Sequence, residues 1–231
     1  MKKRDLHVVV GVPSGADWSA DFGMSLAVMM SYAAQVQLGF DVRTQQVQVV
    51  NVKGSILPQL RENVVLTARK LKADYLLFID SDMVFPRDTL HQLISHNQLV
   101  VAANCPTKKI PSTPTARTLS EEVVGGDPVY STGRAGLQRV WRVGTGVMLI
   151  KLSIFNAMPQ PWFGIRWDEG REEYVGEDWA FCDNISKRNV PIFVDHKLSQ
   201  QIGHVGQLMF QHEHILMPEE VERVRAAVVN G

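Results

Sequence analysis

The sequence predicts an α/β domain with a mostly parallel central sheet flanked by helices, and three observations carry that expectation. Short β-branched apolar runs alternate with stretches of helical periodicity through the first hundred residues. The run Tyr75-Leu76-Leu77-Phe78-Ile79 is apolar without alternation, as a strand covered on both faces must be, and it stops on Asp80-Ser81-Asp82. The 231 residues, 45% hydrophobic and 21% charged, suffice for one well-buried core and are short for two full domains.

Residues 6–12 read as the first strand, turned by Pro13, Ser14 and Gly15. Phe22, Leu26, Met29, Met30, Ala33 and Val36 then fall at helical spacing until Gly39 stops them. Residues 42–52 alternate in part, as a second strand, and Gly54-Ser55 opens a helix carrying Ile56, Leu60, Val64, Ala68 and Leu71. A short helix beyond Pro86 follows the Tyr75 strand, and residues 99–103 form another buried strand. This alternation implies right-handed crossovers and a Rossmann-like first half, residues 1–103.

The pattern changes at Asn104. Residues 104–136 hold Pro106, Pro111, Pro114, Pro128 and Gly125-Gly126 with little periodicity, so a long connection is expected, with residues 108–136 a mobile acceptor-side loop until substrate orders it. Residues 138–141 and 143–151 read as strands, the second interrupted by Gly144-Thr145-Gly146, where glycine marks close approach of a ligand or another backbone. Helices at 152–158 and 176–188, strands at 190–194 and 198–202, and an amphipathic helix at 218–230 complete the second half, 104–231, of a single domain.

Composition narrows the function. Lysine plus arginine equals aspartate plus glutamate at 24 each, which leaves no global basic field for a polyanion. Locally, Lys108, Lys109, Arg117, Arg134, Arg139 and Arg142, interleaved with Tyr130 and Trp141, read as a basic face for a nucleic acid. Cys105 and Cys182 lack metal-ligand spacing and are expected to be buried free thiols in a reducing compartment. The apolar run after Met-Lys-Lys-Arg is too short for a secretory segment, and no stretch approaches the roughly 20 apolar residues of a membrane span. A cytoplasmic protein without a membrane anchor is expected. His212-Glu213-His214 share a face only on a strand and read as a lid or surface segment.

Asp80 and Asp82 end a buried strand, and strand C-termini form the ligand-binding edge of an α/β sheet. Two clustered oxygen donors suit Mn²⁺ or Mg²⁺, which keep open positions for diphosphate oxygens. Glu177-Asp178 opens a helix: neighbouring acids raise one another's pKa and can hold a base in working range, although the helix dipole favours acids there in any protein. His204 stands between Gly203 and Gly206, where glycines let an imidazole approach a diphosphate.

With these motifs in this order over residues 8–206, the chain resembles the GT-A glycosyltransferases, especially compact, anchor-free enzymes related to family 2 of the kind bacteriophages encode. The resemblance implies that Val12, Pro13 and Ser14 border the nucleotide, with Arg61 and Asn63 beside it and Glu62 as an insertion between those two. It places Asp82 on the metal, Asp80 on ribose or a metal-bound water, Ser81 with the donor, and His204 as third ligand. Gly144, Thr145 and Gly146 would lie beneath the donor sugar, Asp178 would be the base of an inverting transfer, Glu177 would bond acceptor or backbone, and Trp179 would face the acceptor. The implied donor is a nucleotide-diphosphate sugar, a UDP-sugar foremost. The hydroxyl acceptor stays open between a hydroxymethylated base in phage DNA, met in the host cytoplasm, and a small sugar or glycan.

Two rivals stand beside this reading. A haloacid-dehalogenase-like phosphatase also uses Asp-X-Asp after an apolar strand, but normally on the first strand, whereas a βα unit precedes Asp80 here. A non-catalytic nucleotide-sugar-binding module would bind and not turn over.

Overall fold

The computed structural model describes residues 3–109, 111–119, 125–170 and 172–206. The first half runs β1 (Arg4–Ser14), α1 (Ala20–Gln35), β2 (Val42–Lys53), α2 (Leu57–Lys70), β3 (Tyr75–Ile79), β4 (Met83–Val84), α3 (Thr89–Ser95) and β5 (Val100–Ala102). The second half adds β6 (Arg117–Thr118), β7 (Asp127–Pro128), β8 (Leu137–Val140) and β9 (Val147–Lys151), then a 3₁₀ turn at Leu152–Asn156. It ends with β10 (Arg166–Asp168), β11 (Glu173–Val175), α4 (Glu177–Ser186), β12 (Ile192–Asp195), α5 (His196–Ser199) and β13 (Gly203–His204).

The fold is α/β, with a central seven-stranded sheet in the order β2-β1-β3-β9-β5-β12-β8. The pairings make five strands run one way and set β9 and β8 against them. β3 shows why the apolar run had no alternation: Leu76 and Phe78 enter one core with Val64, Val65 and Ala68 of α2, while Tyr75, Leu77 and Ile79 enter another with Phe22, Leu26 and Met29 of α1. Local signals set the helix ends. The Ser19 hydroxyl accepts from the Phe22 amide at 3.1 Å to cap α1, and Pro58 sits in the first turn of α2. Gly11 lets α2 lie directly on β1, since a Cβ there would sit 2.3 Å from Val64 Cγ1.

Several expectations change. The strand expected at 143–151 begins only at Val147, and it enters the middle of the sheet antiparallel to both neighbours. The strand expected at 198–202 is instead the short helix α5, because Asp195 caps it by accepting from the Leu198 amide at 3.0 Å. The described part of 104–136 carries structure of its own, a β6–β7 pair and a bridge between Pro106 and Pro114. The β10–β11 hairpin was not foreseen. The His212-Glu213-His214 segment and the helix expected at 218–230 lie outside the described residues. Both cysteines are buried free thiols, as expected. Among the described residues no helix is long and apolar enough to cross a membrane.

Candidate active site

The sheet brings the predicted residues to one edge. Asp80 follows β3 directly, and its amide donates to the Gly146 carbonyl at 3.0 Å, which ties the acidic turn to the glycine segment ahead of β9. A Cβ on Gly146 would fall 2.6 Å from Met83 Cε and 3.3 Å from Cys105 Sγ, so glycine is what lets these segments meet. β13 pairs with β4, setting His204 opposite Met83, and the Val205 amide donates to the Asp82 carbonyl at 2.8 Å. A histidine 122 residues later in the sequence thereby stands beside Asp82.

Asp80 and His204 are shared by two cavities. One, of about 300 Å³, is lined by Pro13, Ser14, Gly54, Ser55 and Leu60 together with Ser81 and Asp82. The other, of about 350 Å³, is lined by Arg61, Thr115, Gly144, Thr145, Gly146 and Asp178. A larger cavity of about 580 Å³ at Arg4, Lys72 and Tyr75 contains none of these residues, so size does not identify the chemistry. Val12 is buried in the core, so only its backbone can serve the first cavity; its carbonyl accepts from Asn51 Nδ2 at 2.8 Å. Asn63 is exposed and lines neither cavity. Glu62, the residue that interrupts the expected pair, accepts instead from the Phe163 amide at 2.6 Å.

Arg61 is the centre of the site. It is 2% exposed, lies 3.1 Å from Asp80 Oδ1 and donates through Nε to Glu177 Oε1 at 3.1 Å, and its guanidinium lies over the Phe78 ring. Burial works against its charge, but Asp80 and Glu177 outweigh that and raise its pKa. One buried fork thus joins the acidic turn after β3 to the start of α4. Beside it, Asp178 Oδ1 accepts from the Trp179 amide at 2.7 Å. Desolvation first, then the charge of Glu177, pushes the Asp178 carboxyl up to about 6, against the pull of Arg61 and that amide.

Asp82 behaves oppositely. Burial would raise its pKa, yet His204 and Lys108 hold it down at about 2. Lys108, itself exposed, forms an ion pair with Asp82 across the acidic turn. His204 Nδ1 lies 2.8 Å from the Pro106 carbonyl, which only accepts, so Nδ1 carries a hydrogen and Nε2 points at Asp82 Oδ1, 3.4 Å away. Burial disfavours the imidazolium, while Asp82 and the Pro106 carbonyl favour it and leave its pKa raised.

This donor set fits a hard divalent cation on one observation: buried oxygens Asp80 Oδ1 and Asp82 Oδ1 make no hydrogen bond and meet only the charges of Arg61 and His204, and a cation can replace the proton on Nε2. Among the described residues no three ligand side chains are already gathered around a common point, and Arg61 and Lys108 stand against the carboxylates.

Of the six cations read as a basic face, Lys108, Lys109, Arg134 and Arg139 are exposed, whereas Arg117 and Arg142 are drawn inward. Arg142 is 3% exposed and holds Asp183 in a fork of 2.8 and 2.7 Å, with its guanidinium 3.7 Å from the centre of the Trp141 ring. Arg117 donates to the carbonyls of Pro114 and Ala116. Trp179 donates from Nε1 to the Thr115 carbonyl at 3.3 Å and packs near Arg142 and Arg117, half-buried between the cavity and this cluster. Thr115 itself, which sequence reasoning missed, lines the second cavity with an unpartnered buried hydroxyl, and only the 106–115 turn brings it there.

No family model and no curated protein matches the chain. Among solved structures, A197 from STIV is similar at 14% identity and TM-score 0.47, over 90% of this chain and 100% of that one. The catalytic domain of Drosophila beta1,4galactosyltransferase 7, in complex with xylobiose, is similar at 14% identity and TM-score 0.49, over 94% of this chain and 79% of that one. A mutant of the same enzyme with manganese, UDP-Gal and xylobiose gives 12% identity and TM-score 0.48, over 90% of this chain and 78% of that one. At these scores the likenesses carry no argument about function, and none singles out family 2.

Proposed function

We propose that the chain is a metal-dependent glycosyltransferase that moves a sugar from a nucleotide-diphosphate sugar, a UDP-sugar foremost, to an acceptor hydroxyl with inversion. The observation that carries this reading is the buried Arg61 bridge. It binds Asp80, at the edge of a cavity reaching Pro13 and Ser14, to Glu177, whose neighbour Asp178 lines the second cavity with a carboxyl raised to about 6. Two adjoining cavities suit a donor whose nucleotide and sugar need different surroundings, and the carboxylates between them mark the place for the diphosphate.

Asp80, Asp82 and His204 would hold Mn²⁺ or Mg²⁺, which when bound supplies positive charge to the departing diphosphate. The chain's own residues do the rest. Gly144 and Gly146 line the second cavity with backbone, and Thr145 and Thr115 offer unpartnered buried hydroxyls to the oxygens of the sugar. Asp178 takes the proton of the acceptor hydroxyl as the bond from that oxygen to the anomeric carbon forms and the bond to phosphate breaks. Glu177, held by Arg61, keeps the neighbouring charge that holds the base in range. Acceptors compatible with this chemistry include both a hydroxymethylated DNA base and a saccharide.

The test is calorimetry with UDP and Mn²⁺. Binding should require the metal and should be largely lost in Asp82→Asn. Equal UDP affinity with and without chelator would overturn the metal assignment. Hydrolysis of a phosphomonoester without any nucleotide sugar would favour the phosphatase, and binding without turnover would favour the module.

A further inference from the structure

The β10–β11 hairpin runs straight into Gly176-Glu177-Asp178, yet the reaction as described makes no use of it. On it Trp167 and Tyr174 face each other across the ladder, ring centroids 5.1 Å apart in an edge-to-face pair. They are 50% and 72% exposed, and neighbouring Ile165 is 58% exposed. Large aromatic surface left in water beside a catalytic element calls for an occupant. Covalent reach keeps the surface near the base: Tyr174 precedes Asp178 by four residues, at most about 14 Å of chain. An ion pair also secures it, since Arg166 of β10 pairs with Asp183 of α4, itself buried and gripped by Arg142. The aromatic pair and Asp178 therefore ride on one braced unit.

Charge selects the occupant. Between residues 166 and 175 the chain carries Asp168, Glu169, Glu172 and Glu173 against Arg166 and Arg171, and Arg166 and Glu173 each already have a partner. A polyanion needs lysines and arginines free to neutralise its phosphates, and here the local sign is wrong. Of the cations that had suggested a nucleic-acid face, Arg142 is buried on Asp183, and the exposed Lys109, Arg134 and Arg139 belong to other segments than this hairpin. A neutral pyranose suits the surface: its C–H faces carry the weak positive charge that aromatic faces attract, and its hydroxyls can bond to carboxylates at the rim.

We propose that Trp167 and Tyr174 form the acceptor platform and that its occupant is a neutral saccharide, not DNA. The proposal rests on the glycosyl-transfer reading of Asp178, but its test uses neither donor nor metal. The intact chain is titrated with lactose, cellobiose and methyl β-glucoside at millimolar concentrations while the Trp167 indole N–H and the backbone amide resonances of the hairpin are followed, the amides giving the readout in the variants that lack Trp167. A saturable shift with at least one of them is expected. Trp167→Ala and Tyr174→Ala should each weaken that binding about tenfold, roughly 1.4 kcal/mol. Trp167→Phe and Tyr174→Phe should restore most of it. Both positions are exposed, so the truncations open no core cavity. No shift with any of the three sugars, equal affinity in the alanine variants, or saturation of the same resonance by a hydroxymethylcytosine oligonucleotide would each overturn the proposal. Because UDP binding is read separately, a failed platform leaves the metal-nucleotide result standing, and the converse also holds.

Discussion

Replacing Asp178 with asparagine should slow the enzyme and stabilise the fold, and both effects follow from one carboxyl. Its pKa in the folded chain is about 6, against an ordinary 3.8, mainly because the cavity desolvates it and Glu177 repels its charge. The folded state therefore holds this proton more tightly than the unfolded state does. Below pH 3.8 both forms are protonated and the site contributes no penalty. As pH rises toward 6, the unfolded chain ionises first, and above 6 the folded state carries the full cost. Two pKa units correspond to about 3 kcal/mol as an upper limit, and the half-buried setting lowers that to on the order of 1–2 kcal/mol. Asparagine keeps an oxygen to accept from the Trp179 amide and carries no charge. Urea denaturation should show Asp178→Asn more stable than the parent at pH 8, with the gain nearly gone at pH 4. In the same variant, UDP release from a UDP-sugar should fall by about 10²-fold or more, the usual contribution of a positioned base. The parent's rate should fall on the acid side with a midpoint near 6, and the variant should lose that limb. An acid limb unchanged in the variant, or no stability gain at pH 8, would refute the assignment of the raised pKa and of the base.

Arg61→Met should cost roughly 3–5 kcal/mol in chemical denaturation, because it leaves Asp80 and Glu177 without their buried partner. Lys108→Ala should tighten Mn²⁺ binding severalfold in calorimetry, since it removes the side chain that competes for Asp82; unchanged affinity would mean the ion pair does not oppose the metal. Cys105, its thiol pushed up to about 12 by burial and by the charge of Asp80, and Cys182, pushed higher still by burial, should resist iodoacetamide in the native chain and react once it is unfolded.

Much of the scaffold was legible in local pattern. The five apolar residues of β3 and the helical spacing of Phe22, Leu26 and Met29 depend on neighbours within a few positions, and each became the expected element, whereas Pro13 and Ser14, read as a turn, instead extend β1 in register with Val52 and Lys53 of β2. The placement of Asp80, Asp82, Glu177 and Asp178 was readable for the same reason, because each pair sits at the end or start of a regular element. Asp195 shows the limit of local reading: Leu198 to Ile202 looks like a strand until a carboxylate three residues before Leu198, at the end of β12, caps a helix there.

What only the tertiary structure decided is who partners whom. Arg61 is separated from Glu177 by 116 residues, and its burial between two acids depends on α2 lying against β1, where Gly11 leaves room for Val64. Lys108 and Arg142 looked alike as members of a basic face, but one meets Asp82 and the other is enclosed with Asp183. Sequence records that a residue carries charge; the fate of that charge depends on solvent exposure and on distances between segments far apart in the chain. Local pattern could therefore name the acids of this site, and only packing could raise Asp178, lower Asp82 and set Trp167 beside Tyr174 in the open.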